Sequence, residues 1–404
     1  MQILNNTKLL RDVESALLSE SPDIAQLQSH VEENLSISHE LSTTLIYEIV
    51  KELNFNLFPP IIKLELIHTE GCNLACSYCF EKNILGYKKM PADVARKAID
   101  LLFDYSKNEK QLEITHFGGE PTLNFPAIKY VTEYAEEKAS ALGKSINFQM
   151  TSNGVLIDET MANYFSQHKI MVLLSIDGLE STHNKFRITK QGSGSFEQAI
   201  KGMKILKRTQ GYIGVKMTVM PQNVPSLYDD VLGLYKMGVN HFIIGYASGI
   251  PWSEEDMNSF VEQLGRLYEW YKQNRSSGLK IDEFDEEHEP GSFGCMAGRT
   301  SMSVAVNGEI SPCSKILGLN NKQLVAKLGD VTYGMTHIRN RYELNSCSRL
   351  ISICKTKGIA DEYDGGCWVE NFDENRDIFQ PSMQAHNFTL KKRFALSGCS
   401  GYKH

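Results

Sequence analysis

The stretch IIKLELIHTEGCNLACSYCF (residues 61–80) decides the reading of this chain. Its first eight residues, IIKLELIH, look like a strand. They lead straight into Cys72, Cys76 and Cys79, three thiols within eight residues. A loop of that length can wrap three thiolates around one face of a cubane cluster. A closed [4Fe–4S] site takes four cysteines. Three leave one iron open, and an open position is what separates catalytic metals from structural ones. The competing reading is structural zinc, which wants a fourth Cys or His close by in a paired element. His68 precedes the loop but is expected on the strand itself.

Downstream, strands and helices alternate. QLEITHF (111–117), INFQMTS (146–152), IMVLLSID (170–177), YIGVKMTVM (212–220) and NHFIIGYA (240–247) read as strands. Between them 92–106, 127–142, 158–168, 196–209 and 226–237 carry helical spacing, and a long helix is expected near 253–274. Such alternation predicts a parallel sheet with helices outside, curled by right-handed crossovers into a partial (β/α)6 TIM-like barrel. Ligands gather at the carboxyl ends of such strands. The cysteine loop, Gly118-Gly119-Glu120-Pro121, Asn153-Gly154 and Asp177-Gly178 all fall there.

Two flanking regions complete the expected architecture. Residues 1–60 read as an N-terminal helical segment: Leu9, Leu10, Val13, Ala16 and Leu17, then Leu41, Leu45, Ile46, Ile49 and Val50, recur at helical intervals before Pro59 and Pro60. The barrel is assigned to 61–285, with IDEFDEEHEP (281–290) as a solvated acidic linker. Residues 286–404 are expected to form a small domain with a partly inorganic core. The chain has 404 residues, beyond the ~250–300 at which one core usually stops growing.

Cysteine usage supports the division. Of nine cysteines, three lie in 72–79, six lie between 295 and 399, and none lies in 80–294. No run nears the ~18 apolar residues that span a bilayer, and MQILNNTKLLRDVESALL lacks a basic stretch followed by an apolar one. A cytoplasmic location, where thiols stay reduced, is therefore expected, with no membrane partner. The net charge of −7 argues against nucleic acid as partner.

The spacing Cys72-x₃-Cys76-x₂-Cys79, with the aromatic Tyr78 before the last thiol, resembles the signature of the radical S-adenosylmethionine (SAM) superfamily. The resemblance implies a [4Fe–4S] cluster on Cys72, Cys76 and Cys79 whose open iron chelates the amino and carboxylate groups of SAM. Reductive cleavage of SAM would give methionine and a 5′-deoxyadenosyl radical that takes hydrogen from the substrate. Gly118, Gly119, Glu120 and Pro121 resemble the family's motif after strand two, which accepts the SAM ammonium. Asn153, Ser175, Asp177 and Arg187 resemble residues placed around SAM, Ser175 and Arg187 for its carboxylate or ribose; Tyr78 and Phe80 would pack beside the cluster or adenine.

Cys295-x₁₂-Gly308-x₄-Cys313 resembles the entry of the SPASM or twitch extension, which carries auxiliary clusters. VAVNGEISPC reads as a hairpin turning at Asn307-Gly308. The later cysteines depart from the SPASM pattern: they run Cys347-x₆-Cys354-x₁₂-Cys367, then Cys399, and Tyr363 stands where a cysteine is expected. Six cysteines cannot supply the eight ligands of two closed cubanes. Two clusters with an open iron or a foreign ligand, one full cluster, or a zinc site all stay open. By analogy Cys295, Cys313 and Cys367 would share one auxiliary [4Fe–4S] cluster, and Cys347, Cys354 and Cys399 another.

Enzymes that resemble this architecture modify ribosomally made peptides or protein side chains by crosslinking, oxidation or epimerisation. A precursor peptide is the expected partner, with flavodoxin or ferredoxin as reductant. Leader recognition would fall to a separate protein or to the N-terminal helices. The alternatives are sulfatase maturation, dehydrogenation of a small sugar or aminocyclitol by a twitch-type enzyme, and a non-catalytic electron carrier. Sulfatase-maturing enzymes carry an Asp as base where this chain has Ser314. No catalytic base is assigned; Lys216 and His241 lie near strands five and six.

Overall fold

The computed structural model describes residues 7–275, 278–285, 294–319, 327–363 and 365–397. Three helices lead: α1 Thr7–Leu17, α2 Ile24–Leu35 and α3 His39–Leu57. The alternating part follows as β1 Lys63–Ile67, α4 Ala92–Tyr105, β2 Gln111–Phe117, α5 Phe125–Ala141, β3 Ser145–Ser152, α6 Glu159–Gln167, β4 Ile170–Ser175, α7 Glu180–Phe186, α8 Phe196–Gln210, β5 Gly214–Val219, α9 Leu227–Lys236, β6 His241–Tyr246 and α10 Glu254–Asn274. After it come β7 Lys280–Ile281, α11 Asp282–Asp285, β8 Ser301–Val304, β9 Glu309–Ser311, α12 Ser314–Leu317, β10 Gly329–Asp330, α13 Ile338–Ser346, α14 Ser348–Lys357, α15 Trp368–Asn375 and α16 Met383–Ser397.

The coordinates fall into two compact units, one of residues 1–71, 81–148 and 296–349, the other of 72–80, 149–295 and 350–404. In the first, the strand order is β10-β9-β8-β1-β2. β1 pairs in parallel with β2 (Leu64 opposite Ile114) and with β8 (Lys63 opposite Ser301), while β8–β9 and β9–β10 are antiparallel. In the second, β4, β5, β6 and β7 follow one another in parallel. β3 falls on the division. This is the mostly parallel α/β arrangement that the alternation of periods predicts.

The N-terminal helices pack by the spacing read from the sequence. Leu9, Val13 and Leu17, four residues apart on α1, join Leu27, Val31, Ile46, Val50 and Phe58 in one cluster, closed by Ile338 of α13. Beside it Asn54, on α3, is buried. Its amide nitrogen donates to the Met335 carbonyl at 3.0 Å, and its oxygen accepts from the Arg341 guanidinium at 2.7 Å. Arg341 is buried as well, donates to the Pro59 carbonyl at 2.9 Å, lies over the Phe58 ring, and is pushed down to about 10 by burial. Asn54→Ala strips both partners of a bond, one of them charged, and is expected to cost about 2–3 kcal/mol. Urea unfolding monitored by circular dichroism reads it as a lower midpoint.

Two expectations change. The acidic stretch at 281–285 is structured: Asp282 accepts from His241, Glu283 from the Ile244 amide and Asp285 from the Tyr271 hydroxyl. Charge density read alone made it a solvated linker; the partners lie on α10 and β6, remote in sequence. Residues 286–290 of that stretch lie outside the described residues. The C-terminal part, poor in long periodic segments by sequence, also holds the helices α13–α16. Finally, no helix among the described residues is long and apolar enough to cross a membrane.

Candidate functional site

The cysteine loop follows β1 and belongs to the second unit. It is stapled along one side to the segment after α7. The Ala75 amide donates to the Ile188 carbonyl at 2.8 Å, the Ser77 amide to the Phe186 carbonyl at 3.1 Å, and Leu74 forms an antiparallel bridge with Thr189. Asn73 is held from another side by the Asn153 side-chain amide at 2.8 Å. The loop also turns on itself, with the Leu74 amide donating to Cys72 Sγ and the Cys79 amide to the Cys76 carbonyl. Cys72, Cys76 and Cys79 are half-buried thiols.

Behind the loop lies a buried ion pair. Arg187 holds Asp177 with both arms of its fork, Nε at 2.9 Å and an Nη at 3.0 Å. Asp177 also accepts from the Thr218 amide at 2.9 Å and from the Tyr78 hydroxyl. The Arg187 guanidinium lies 5.3 Å from the Tyr78 ring centre. Burial works against the charge of Arg187, but Asp177, Tyr78 and Cys76 outweigh it and hold the guanidinium ionised. Burial likewise pushes the Cys76 thiol up, and Arg187 opposes that shift by its charge and a hydrogen bond. A cation beside a ligand sulfur suits a thiolate.

In the first unit the Gly-Gly-Glu-Pro segment runs alongside residues 69–71. The Gly119 amide donates to the Thr69 carbonyl at 3.0 Å and the Glu120 amide to the Gly71 carbonyl at 2.8 Å. A Cβ on Gly118, at φ +135°, would lie 2.6 Å from the Thr69 oxygen, and one on Gly119 2.4 Å from the Gly71 oxygen. The glycines thus serve close approach of the chain to itself. Glu120 is buried and accepts from the Thr122 amide at 3.2 Å and hydroxyl at 2.6 Å, capping the turn that Pro121 opens. Glu81, two residues past Cys79, is 4 % exposed, and its carboxyl is pushed up to about 8 by burial and by Glu65 and Glu120.

Each remaining candidate has a definite place. Asn153 positions the loop and, with its oxygen, the Val155 amide at 3.0 Å. Ser175 ends β4, opposite Lys216 of β5. Phe80 is 36 % exposed, so it is the less enclosed of the two aromatics beside Cys79. His68 is fully buried and its Nε2 lies 2.8 Å from His116 Nδ1; burial lowers it to about 3. The Nδ1 of His68 is buried and makes no hydrogen bond among the described residues. His241, the first residue of β6, sits at the amino end of its strand, bound to Asp282 at 2.6 Å and to the Tyr212 hydroxyl. That end of a strand serves stability rather than chemistry in such sheets.

The later cysteines among the described residues are thiols too. Cys313 and Cys367 stand at the starts of α12 and α15, and Cys347 and Cys354 are buried, which pushes their thiols up. Cys295 is half-buried, and Cys399 lies outside the described residues. Tyr363, in the place of an expected cysteine, is buried and donates to Asn371 Oδ1 at 2.8 Å. Among the described residues no three His, Cys, Asp or Glu side chains are grouped for a single metal ion. A cubane, with its irons at separate corners, holds its thiolates further apart than one ion does. Sequence reasoning missed Asn73 and Glu81, although both lie within the quoted stretch or one residue beyond it.

Three half-buried thiols thus lie on the loop after the first strand of a mostly parallel α/β sheet. A model of the Radical SAM superfamily matches residues 66–231. An uncharacterised protein of Methanocaldococcus jannaschii is 32 % identical over 206 residues, 49 % of this chain and 69 % of that protein. The radical SAM cyclopropyl synthase TigE of Paramaledivibacter caminithermalis is 24 % identical over 224 residues, 51 % of this chain and 46 % of TigE. Native anSMEcpe with bound AdoMet and Kp18Cys peptide matches in fold, with a TM-score of 0.68 at 18 % identity over 85 % of this chain and 100 % of that one. The chain belongs to the radical SAM superfamily, whose members use a [4Fe–4S] cluster and SAM. Its relatives include peptide-maturing and sulfatase-maturating enzymes, and auxiliary clusters are typical of those with a SPASM extension.

Proposed function

We propose that this chain is a peptide-modifying radical SAM enzyme that installs a crosslink, such as a thioether or carbon–carbon bond, or an oxidation in a ribosomally made peptide. The observation that carries the reading is the loop of three half-buried thiols, stapled along its backbone to residues 186–189. Cys72, Cys76 and Cys79 would hold the cluster, with Arg187 opposing the burial that disfavours the Cys76 thiolate and the Leu74 amide donating to Cys72 Sγ. Gly118–Pro121 would receive the ammonium end of SAM. When bound, cluster and SAM supply one-electron cleavage to a 5′-deoxyadenosyl radical, which abstracts hydrogen from the peptide. Cys295, Cys313, Cys347, Cys354, Cys367 and Cys399 would hold one or two auxiliary clusters as electron acceptors.

The kinship with peptide-maturing enzymes and the peptide bound to anSMEcpe support a peptide as substrate. Flavodoxin or ferredoxin would deliver the electron, and the N-terminal helices of 1–60 or a separate protein would recognise a leader. We place the reaction in the cytoplasm and assign the three parts 1–60, 61–285 and 286–404 to leader side, barrel and auxiliary clusters. Ser314 speaks against sulfatase maturation: it is buried, its amide donates to Glu65 at 2.9 Å, and a hydroxyl cannot serve as the carboxylate base.

The test is anaerobic. Reconstituted enzyme, dithionite, SAM and the short peptide encoded beside the gene are expected to yield 5′-deoxyadenosine and a peptide of altered mass. Deoxyadenosine with an unaltered peptide would refute the substrate assignment; absence of both would refute the enzyme.

A further inference from the structure

The arm against which the cysteine loop rests has a fastening of its own. Residues 187–195 leave α7 and return as a narrow hairpin. Ile188 and Gly194 form an antiparallel bridge, and the Thr189 amide donates to the Ser193 carbonyl at 2.8 Å. The outgoing strand meets the loop, through the Ile188 carbonyl and the bridge of Thr189 to Leu74. The returning strand is tied back to α7. The Ser195 hydroxyl donates to the Arg187 carbonyl at 2.8 Å, so its oxygen is left to accept from His183 Nε2–H at 3.0 Å. Asn184 Oδ1 accepts from the Phe196 amide at 2.9 Å. Both His183 and Ser195 are buried.

These contacts close a ring. The Arg187 amide donates to the His183 carbonyl at 2.9 Å, and the Arg187 carbonyl returns to His183 by way of Ser195. The start of α7 is fixed in turn by the buried Asp230, which accepts from the Leu179 amide at 2.7 Å and the Thr182 hydroxyl at 2.8 Å. A two-stranded hairpin alone is at best marginally stable in water, so its rigidity comes from such anchors. Gly194 shows how closely it is seated: a Cβ there would lie 2.2 Å from the Asn184 side chain.

We infer that Ser195 and His183 are positioning residues for the cysteine loop. They lock the 187–195 hairpin onto α7, and the locked hairpin holds residues 74–77 in the shape that presents Cys72, Cys76 and Cys79 to one cluster. The inference rests on the reading of those thiols as ligands of the SAM-binding cluster. Neither side chain ligates. Each acts through the Ile188 and Phe186 carbonyls, which accept from the Ala75 and Ser77 amides. Partners behind a ligand commonly carry 10–100-fold of metal affinity.

The experiment uses the full chain with its clusters reconstituted. Anaerobic loss of iron to a chelator is followed for the cluster whose electron-paramagnetic signal SAM perturbs. Ser195→Ala is expected to lose that cluster about tenfold faster than the parent. Ser195→Thr, which keeps the hydroxyl, should recover most of the difference. Gly194→Ala removes no hydrogen-bonding group but crowds Asn184, and it should hasten the loss as well; it decides the matter if Ser195→Ala does not fold. Asn54→Ala, on α3 and outside the hairpin, is the comparator: it also strips a buried hydrogen-bonding side chain, and it should lower the unfolding midpoint with cluster loss at the parent rate. Parent-rate loss from Ser195→Ala or, failing its folding, from Gly194→Ala overturns the inference, as does equal acceleration in Asn54→Ala. A parent with no cluster that responds to SAM overturns the reading beneath it instead.

Discussion

Cys76→Ala is expected to abolish the SAM chemistry while leaving the fold in place. The thiol is half-buried on a loop whose backbone is held independently of it, by the Ala75 and Ser77 amides on one side and by Asn73 on another. Removing the sulfur therefore removes a ligand without untying the loop. Two thiolates cannot retain a cubane against exchange as three can. Changes behind a ligand commonly cost 10–100-fold, so loss of the ligand itself should lower deoxyadenosine formation by more than about 100-fold. Iron and sulfide analysis should show one cluster fewer per chain, and the electron-paramagnetic signal that SAM perturbs should vanish. Far-ultraviolet circular dichroism should match the parent. Retention of SAM cleavage by this variant, or by the triple alanine variant at 72, 76 and 79, would remove the cluster assignment altogether.

The second large effect is at Arg187. Its fork is filled by Asp177, whose side chain is fully buried, with Tyr78 and the Thr218 amide completing the carboxylate's shell. Arg187→Met leaves that carboxylate buried without its counter-charge, a change that costs about 3–5 kcal/mol. Two consequences should be separable. The midpoint of urea unfolding of the apoprotein falls for Arg187→Met but much less for the neutral pair Asp177→Asn with Arg187→Gln, since no lone charge is then left behind. The cluster, in contrast, should suffer in both, because each loses the cation and the hydrogen bond that favour the Cys76 thiolate. Equal stability of the single and double variants would show that the ion pair does not carry the load placed on it.

Arg187 also illustrates what could be read from the chain beforehand. The sequence reading placed it at the carboxylate or ribose of SAM; in the structure its guanidinium is bidentate on Asp177, a contact that spacing alone does not announce. The strands were legible because their apolar runs are bounded by Gly, Asn-Gly or Asp-Gly; β2 begins and ends where it was expected. Helix α7 was not, since its seven residues hold too few apolar positions to repeat. α16 was missed for another reason: its apolar residues do not line one face. The hydrogen bonds that engage 281–285 were beyond reach because they join residues far apart in sequence. Glu81 was overlooked because a lone carboxylate after a motif has no periodic signature.

The hairpin at 301–311 alters how the chain can be divided. Through β8 it takes the flank of β1 that β2 leaves bare, with Lys63 to Leu66 matched to Ser301 to Val304. The first strand, from which the cysteine loop springs, is thus zipped on both sides, once by the segment that follows it and once by residues more than two hundred positions later. A barrel excised at the acidic junction would present the naked margin of β1 to any other extended chain. The tail is in this sense a seam of the sheet, and its two strands guard the flank of β1 against slippage and against strangers.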